Sequence, residues 1–239
     1  MNKRLTLCLA VLLGMVSCSR QVTGDLQFFE LKGAVSSLGE VPVFPDDKVT
    51  FDELGFIKLP GEVTSEEEVS GILADYTGPF KVVNWNPEVV DEEIYDYYEP
   101  LGVTLAYDAS GKLVMVAAGL SAAYLFYDKS GRLCSILRED EGMTEVSEIT
   151  YDKDGNRIRE YIFEPEAIGH DEDDGFYIDT YDRSKPVDRE ENGWYIDYDQ
   201  YQFDKQGNWI SRRVRYRDYY QEVTYEYQEN REGKITYSL

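Results

Sequence analysis

Five segments of this chain repeat one pattern, an aromatic residue followed by aspartate and, three positions later, glycine. They are Phe51-Asp52-Glu53-Leu54-Gly55, Tyr107-Asp108-Ala109-Ser110-Gly111, Tyr127-Asp128-Lys129-Ser130-Gly131, Tyr151-Asp152-Lys153-Asp154-Gly155 and Phe203-Asp204-Lys205-Gln206-Gly207. Chance composition would supply on the order of 0.2 such matches in a chain of this length, so the pattern is an internal repeat. Physically it is a hairpin turn. The aspartate accepts hydrogen bonds from backbone amides ahead of it, and the glycine takes the left-handed conformation of a G1 bulge. Counting the bulge as two residues against one places Tyr107 opposite Leu113 and Tyr127 opposite Leu133. Two positions before each aromatic stands another strand former, Val49, Leu105, Leu125, Ile149 or Tyr201, so strands and not helices enter the turns. In the units at Tyr151 and Phe203 the apolar Ile158 and Ile210 come one position later than Leu113 and Leu133 do. Those two hairpins are therefore expected to carry a longer loop or a second bulge.

The middle aspartates lie 20 and 24 residues apart, which makes those units tandem, while insertions near 60–100 and 165–191 separate the outer ones. In the first insertion Ser65 and Glu68 satisfy a capping box and predict a short helix through Ala74. The second is acidic, punctuated by Gly and Pro, and reads as a long loop with one strand around Phe176 to Ile178. Leu113 to Val116 and Leu133 to Leu137 are apolar on both faces and should be central and covered. The strands from Tyr201 to Tyr237 alternate with charges and should be peripheral. The expected fold is mostly β, an antiparallel meander of consecutive hairpins curled or folded into a sandwich-like sheet, with one short helix.

The first residues carry an address. Lys3 and Arg4 precede an apolar run from Leu5 to Val16 that ends at small residues before Cys18, which is the anatomy of a signal peptide. The run is too short to span a bilayer core, which takes roughly 20 apolar residues. Met15-Val16-Ser17-Cys18 resembles the lipobox of bacterial lipoproteins, with Met15 where Leu is usual, and the resemblance implies cleavage before Cys18 and acylation of its thiol and amine. The expected organisation is a signal peptide over 1–17, an N-terminal tether over 18–30 and a single hairpin-repeat domain over 31–239. Cys8 would leave with the signal and Cys18 would carry lipid, leaving Cys134 no disulfide partner, and a buried inert thiol is expected there.

The tandem Tyr-Asp-x-x-Gly hairpins resemble YD repeats. Gly155-Asn156-Arg157-Ile158 and Gly207-Asn208-Trp209-Ile210 look like the repeats of uncharacterised lipoproteins of Bacteroidetes. The resemblance covers about half the chain in scattered pieces and is structural in content. Large YD-repeat proteins form shells and stalks, and this chain is too short for a shell. Many surface-exposed lipoproteins of that group carry acidic residues just after the lipidated cysteine. Ser19-Arg20-Gln21-Val22 has none, so the resemblance implies an outer-membrane position facing the periplasm.

The formal charge of −23 repels nucleic acid phosphates and anionic head groups, which excludes a nucleic-acid role, while 42% hydrophobic residues suffice for a core. One histidine, His170, in an acidic stretch, supports neither a zinc site nor a Ser-His-Asp triad. Asp171, Asp173 and Asp174 are weak calcium candidates, since the EF-hand register fails at Tyr181. No cofactor is expected, and no carboxylate pair is identified by spacing for a hydrolase.

The C-terminal aromatics offer the best candidate surface: Trp194, Trp209, Tyr216, Tyr219 and Tyr225, in strands whose other residues are largely charged. Tyr is also the ordinary filler of half-buried strands, and the favoured expectation is that these rings form the core of a thin sheet with Arg212, Arg213 and Arg215 facing water. The functional expectation is a non-enzymatic cell-envelope lipoprotein acting as a binding or scaffold module for protein partners. A glycan-binding module using those aromatics is the alternative, and a carboxylate-based hydrolase comes third.

Overall fold

A computed structural model of the chain describes residues 24–41, 44, 48–61, 63–67, 80–85, 102–118, 121–140, 143–164, 170–171, 175–176, 193–218 and 223–237. The chain opens with a short helix, α1 (Gly24–Phe28), followed by β1 (Val35–Gly39), β2 (Lys48–Phe51) and β3 (Ile57–Lys58). A long meander comes next: β4 (Val63–Glu67), β5 (Phe80–Trp85), β6 (Val103–Tyr107), β7 (Leu113–Ala118), β8 (Ser121–Tyr127), β9 (Leu133–Asp140), β10 (Met143–Tyr151) and β11 (Arg157–Phe163). After a two-residue pair, β12 (His170–Asp171) with β13 (Gly175–Phe176), the meander resumes as β14 (Gly193–Phe203), β15 (Trp209–Asp218) and β16 (Val223–Asn230), and the chain ends in β17 (Ile235–Tyr237).

Eleven strands form one antiparallel sheet in the order β16-β15-β14-β11-β10-β9-β8-β7-β6-β5-β4, and β17-β1-β2-β3 form a second. The large sheet is open, with β16 and β4 at its two edges, so the fold is a sandwich and not a barrel. A continuous apolar cluster joins Val35, Leu38, Val49, Phe51 and Ile57 of the small sheet to Leu105, Leu113, Leu125, Leu133 and Ile136 of the large one. The strands β7 and β9 are central, as their two-sided apolarity predicts, and the opposite face carries its own buried clusters around Met115 and around Phe126, Leu137 and Phe163.

All five repeats make the same turn. In each, one aspartate oxygen accepts the amides two and four positions ahead, for example Ser130 at 2.9 Å and Arg132 at 3.0 Å onto Asp128. The same pair of bonds forms on Asp52, Asp108, Asp152 and Asp204. The glycine amide closes onto the aspartate carbonyl, 2.9 Å in the case of Gly131, and φ at the five glycines runs from +78° to +90°. The bulge register pairs Tyr107 with Leu113 and Tyr127 with Leu133.

Three expectations are corrected. The hairpins at Tyr151 and Phe203 carry no longer loop: Tyr151 pairs with Arg157 and Phe203 with Trp209, the same six-residue offset as in the other repeats, and the second bulge is found at Phe203, as a further register shift between Asp199 and Gln202, but not at Tyr151. The inward position of those turns is filled by Arg157 and Trp209, 8% and 4% exposed, and Ile158 points outward at 38%. The capping-box segment does not start a helix, because Val63–Glu67 is strand β4, paired with β5 through Thr64 and Val83 among others. Pairing with a Val-rich strand outweighs a local cap signal there; residues 68–74 lie outside the described ones. Among the described residues the helix is α1, inside the stretch expected to be tether. Asp25, Leu26, Phe29 and Leu31 are buried, so the folded body begins by residue 24 and not at 31.

Candidate functional site

Because every repeat turn of the large sheet ends on the same side, the turns form a row, and residues 25–32 run across it as a strap. Each contact is a short polar bond to a different repeat. The Asp25 carboxylate accepts the Ile57 amide at 2.7 Å and the Tyr107 hydroxyl at 2.9 Å. Gln27 donates to the Gly131 carbonyl at 3.2 Å and accepts the Leu133 amide at 3.0 Å. The Lys32 backbone exchanges bonds with the Asn208 side chain at 2.6 and 2.9 Å, and its ammonium reaches Asn156 at 3.3 Å. The Gly-Asn form of the last two repeats thus has a physical role, since the asparagine holds the strap. In the preceding two repeats the same position carries a cation over the next repeat's ring, Lys112 at 4.5 Å from Tyr127 and Arg132 at 4.8 Å from Tyr151.

The repeat aromatics are also stitched together by their hydroxyls. Tyr127 donates to the Leu113 carbonyl and Tyr151 to the Leu133 carbonyl, both at 2.7 Å. In the last repeat Tyr201 takes this role, donating to the Arg157 carbonyl, while Phe203 is 43% exposed. The switch follows from Gln200, whose positive φ of 51° and accompanying register shift turn Tyr201 inward.

Beneath the last two turns lies a buried ion network. Glu30 of the strap meets Arg157 at 3.2 Å and Arg212 at 2.9 Å, Arg157 meets Glu160 at 3.0 Å, and Arg212 meets Glu229 at 2.6 Å. Tyr198 donates to Glu160 at 3.0 Å, and the Trp209 ring sits 4.1 Å from the Arg212 guanidinium and 3.7 Å from that of Arg231. Burial pushes the Glu160 carboxyl up, but Arg157 and Arg138 more than offset it and bring its pKa down to about 2. Burial acts on Glu30 in the same direction and is likewise outweighed by Arg157 and Arg212, so it too lies below the usual range. Asp25 is the opposite case: burial dominates and raises it to about 6 despite its two hydrogen bonds, and its second oxygen has no partner. Pinned carboxylates of this kind are not proton donors at neutral pH, and Asp25, fully buried, is out of reach of a substrate.

A cleft of about 270 Å³ opens between the strap and the last three turns, lined by Gln27, Lys32, Arg132, Tyr151, Tyr201 and Phe203 among others. A second, of about 660 Å³, lies between the turns at Asp52 and Asp108, beside Phe56, Lys81 and Tyr107.

The sequence-predicted aromatics divide. Trp209 is core, and the neighbouring Arg212, expected in water, is buried among rings and carboxylates; Arg213 and Arg215 are half-buried and share Asp199 at 2.7 and 2.6 Å. Trp194 is half-buried in β14. Tyr216 stacks on its cross-strand partner Tyr225 with centroids 4.7 Å apart, and Tyr227 continues the stack at 6.4 Å. Tyr225 and Tyr227 are each 51% exposed. The stack therefore stands on β16, whose outer edge has no strand partner among the described residues. Tyr227 completes a patch on one face of β16, with Glu226 on the other, and the alternating Tyr and Glu of the last long strand signal this in the sequence.

Cys18, Tyr219, Asp173 and Asp174 lie outside the described residues, as does the side chain of Asp171, whose backbone belongs to β12. Among the described residues no group of three or more His, Cys, Asp or Glu side chains could hold a metal ion, and no helix is long and apolar enough to cross a membrane. Cys134 is half-buried, its thiol 3.5 Å from the Phe126 carbonyl. No protein-family model matches the chain, and no curated protein matches it.

Proposed function

We propose that the chain is a lipid-anchored cell-envelope protein, held through Cys18 at the outer membrane and facing the periplasm, that acts without catalysis as a binding or scaffold module for a protein partner. The contact surface is the tyrosine stack at the C-terminal edge of the large sheet. The observation that carries this reading is the pair Tyr225 and Tyr227, each 51% exposed on an edge strand, stacked flat beside Tyr216 and bordered on the same face by Glu229. Flat exposed aromatics with a polar rim suit a protein face. The strap complements the anchor: residues 25–32 bond to successive turns, so a lipid on Cys18 would hold the body by its turn row and leave the β16 edge at the far margin of the sheet.

Photo-crosslinking in intact cells from position 228 tests the surface. Crosslinked partners are expected with the native chain and should disappear with Tyr225→Ala/Tyr227→Ala, while an unchanged crosslink pattern would overturn the reading. Loss of acyl labelling in Cys18→Ala tests the anchor. A glycan-binding alternative rests on the cleft beside Tyr151, Tyr201 and the half-exposed Phe203, a concave arrangement of rings suited to a sugar. It requires saccharide binding that Phe203→Ala removes.

A further inference from the structure

The far end of the large sheet carries a charge pattern that stops one strand short of completion. Register connects Arg159 of β11 to Asp197 of β14, Asp197 to Arg215 of β15, and Arg215 to Glu226 of β16. The row therefore reads cation, anion, cation, anion across four neighbouring strands on one face. The pairs behind it are close: Arg159 meets Asp197 at 2.6 Å, and Asp199 takes Arg213 at 2.7 Å and Arg215 at 2.6 Å. The last member is held least. Among the described residues Glu226 is ion-paired with Arg213, at 3.6 Å, and its side chain is 50% exposed. On the opposite face the two rows flanking Glu226 end in rings. One runs from Ile196 through Tyr216 to Tyr225, the other from Tyr198 through Val214 to Tyr227.

We infer that β16 is a docking edge for an extended segment of another protein, which adds to the sheet as a further antiparallel strand and places a lysine or arginine opposite Glu226 between two apolar or aromatic residues opposite Tyr225 and Tyr227. This rests on the reading of the C-terminal edge as the contact surface and names the form of its partner. An edge strand presents unpaired backbone donors and acceptors that a strand from another chain satisfies, with alternate side chains setting specificity. Opposite charges directly across a strand pair stabilise and like charges destabilise. A second copy of this chain is disfavoured as the occupant, because Val223-Thr224-Tyr225-Glu226-Tyr227-Gln228-Glu229-Asn230 contains no cation to set against Glu226. The formal charge of −23 also steers basic segments toward the protein and repels its own copies.

The test uses the full mature chain and two acetylated, amidated heptapeptides, Thr-Thr-Tyr-Lys-Tyr-Thr-Thr and the same peptide with Glu in place of Lys, read by amide hydrogen exchange and by titration. The lysine peptide should protect β16 amides and bind the native chain roughly fivefold more tightly than the glutamate peptide, the ratio expected of one cross-strand charge pair. Glu226→Lys should reverse that preference, and N-methylation of alternate peptide amides should abolish protection. Absence of β16 protection at millimolar peptide, or a preference unaffected by Glu226→Lys, overturns strand addition. Glu226 is a solvent-facing edge residue, so its variant folds, and unchanged exchange elsewhere in the chain verifies this. If crosslinking from position 228 still depends on Tyr225 and Tyr227 while β16 stays unprotected, the surface stands and only its mode of engagement is wrong; if both fail, the surface itself is wrong.

Discussion

The repeats at Tyr107 and Tyr127 and those at Tyr151 and Phe203 make one and the same turn over opposite kinds of core. In the first pair the residue six positions after the aromatic is Leu113 or Leu133, fully buried among aliphatic neighbours. In the second it is Arg157 or Trp209, part of a network of buried carboxylates and guanidinium groups sheltered by rings. Asp and Gly alone set the turn, because the aspartate oxygen supplies two acceptors and the glycine supplies the left-handed backbone. The residue pointing inward is then free to vary, provided that its neighbours on the strap and on adjacent strands match it. Glu30 is that match for the second half, and Leu31 and Phe29 serve the apolar half.

The largest effect should come from breaking the polar half. Arg157→Leu copies the residue found in the apolar repeats, yet it leaves buried Glu160 with Arg138 alone, at 3.5 Å, and takes one of two paired cations from Glu30. It is expected to cost about 3–5 kcal/mol in urea denaturation, the usual loss when one partner of a buried pair is removed. Arg157→Leu/Glu160→Leu should lose less than Arg157→Leu alone, since the stranded carboxylate is gone. Trp209→Ala belongs to the same class at about 3–5 kcal/mol, the range for truncating a buried large aromatic. A single Arg157→Leu variant as stable as the native protein would mean that the network is dispensable and the two halves are energetically alike.

The two halves also respond oppositely to acid. Glu160, with a pKa near 2 against an ordinary 4.5, contributes stability that is present above pH 4.5 and is lost as pH falls toward 2. Asp25 sits where the strap meets the apolar half. Its pKa of about 6 lies above the ordinary 3.8, so its contribution is fully present below pH 3.8 and is lost as pH rises through 6. Asp25→Asn keeps an acceptor for the Ile57 amide and the Tyr107 hydroxyl and removes the buried charge. It should raise stability at pH 8 by roughly 1–3 kcal/mol and by less than about 0.5 kcal/mol at pH 4. Equal effects at the two pH values would show that Asp25 does not titrate between them.

Much of this was legible in the sequence, and the misses share one cause. The turns, the positive φ of their glycines, the pairing of Tyr107 with Leu113 and of Tyr127 with Leu133, and the central place of β7 and β9 follow from local pattern and period. Arg157 was unreadable as an inward residue because a strand's facing is set by register, and the sequence suggested that Ile158 should define the facing. The role of residues 24–32 was hidden for a similar reason: each strap residue bonds to a different distant turn, and no local motif announces such contacts. The candidate surface was half legible. Tyr225 is an exposed edge residue stacked on the half-buried Tyr216 of the next strand, but Trp209 belongs to the core because Arg212 and Arg231 cover it. That arrangement depends on β16 and on the turn leading into β17.

Alanine at the turn glycines should sharpen the comparison by showing no difference between the halves. A Cβ at Gly131 would meet only the Lys112 ammonium, at 3.7 Å, and one at Gly155 nothing within 4 Å, so the penalty is backbone conformation alone. Gly131→Ala and Gly155→Ala should each cost about 1–2 kcal/mol, the price of a left-handed residue with a side chain. Lys129→Ala and Lys153→Ala, on the exposed side of the same turns, should stay within about 0.5 kcal/mol. A marked inequality between the two glycines would mean that the core below does reach into the turn.

The smallest effect is expected at the edge, and its smallness is informative. Tyr225 is half exposed, and its described partners are the stacked ring of Tyr216 across the strand pair and that of Tyr227 along the strand. Such a cross-strand aromatic pair is worth about 0.2–1 kcal/mol, so Tyr225→Ala should lower stability by no more than about 1 kcal/mol, several times less than Trp209→Ala on the neighbouring strand. Exposed rings in an acidic sheet therefore do little to hold the fold together. Their large apolar area in water is a standing cost unless another surface covers it. If thermal or urea denaturation gives Tyr225→Ala a loss comparable to Trp209→Ala, the stack belongs to the core and the edge offers no binding surface. If the loss is small while envelope crosslinks vanish, the stack's main contribution lies in the complex.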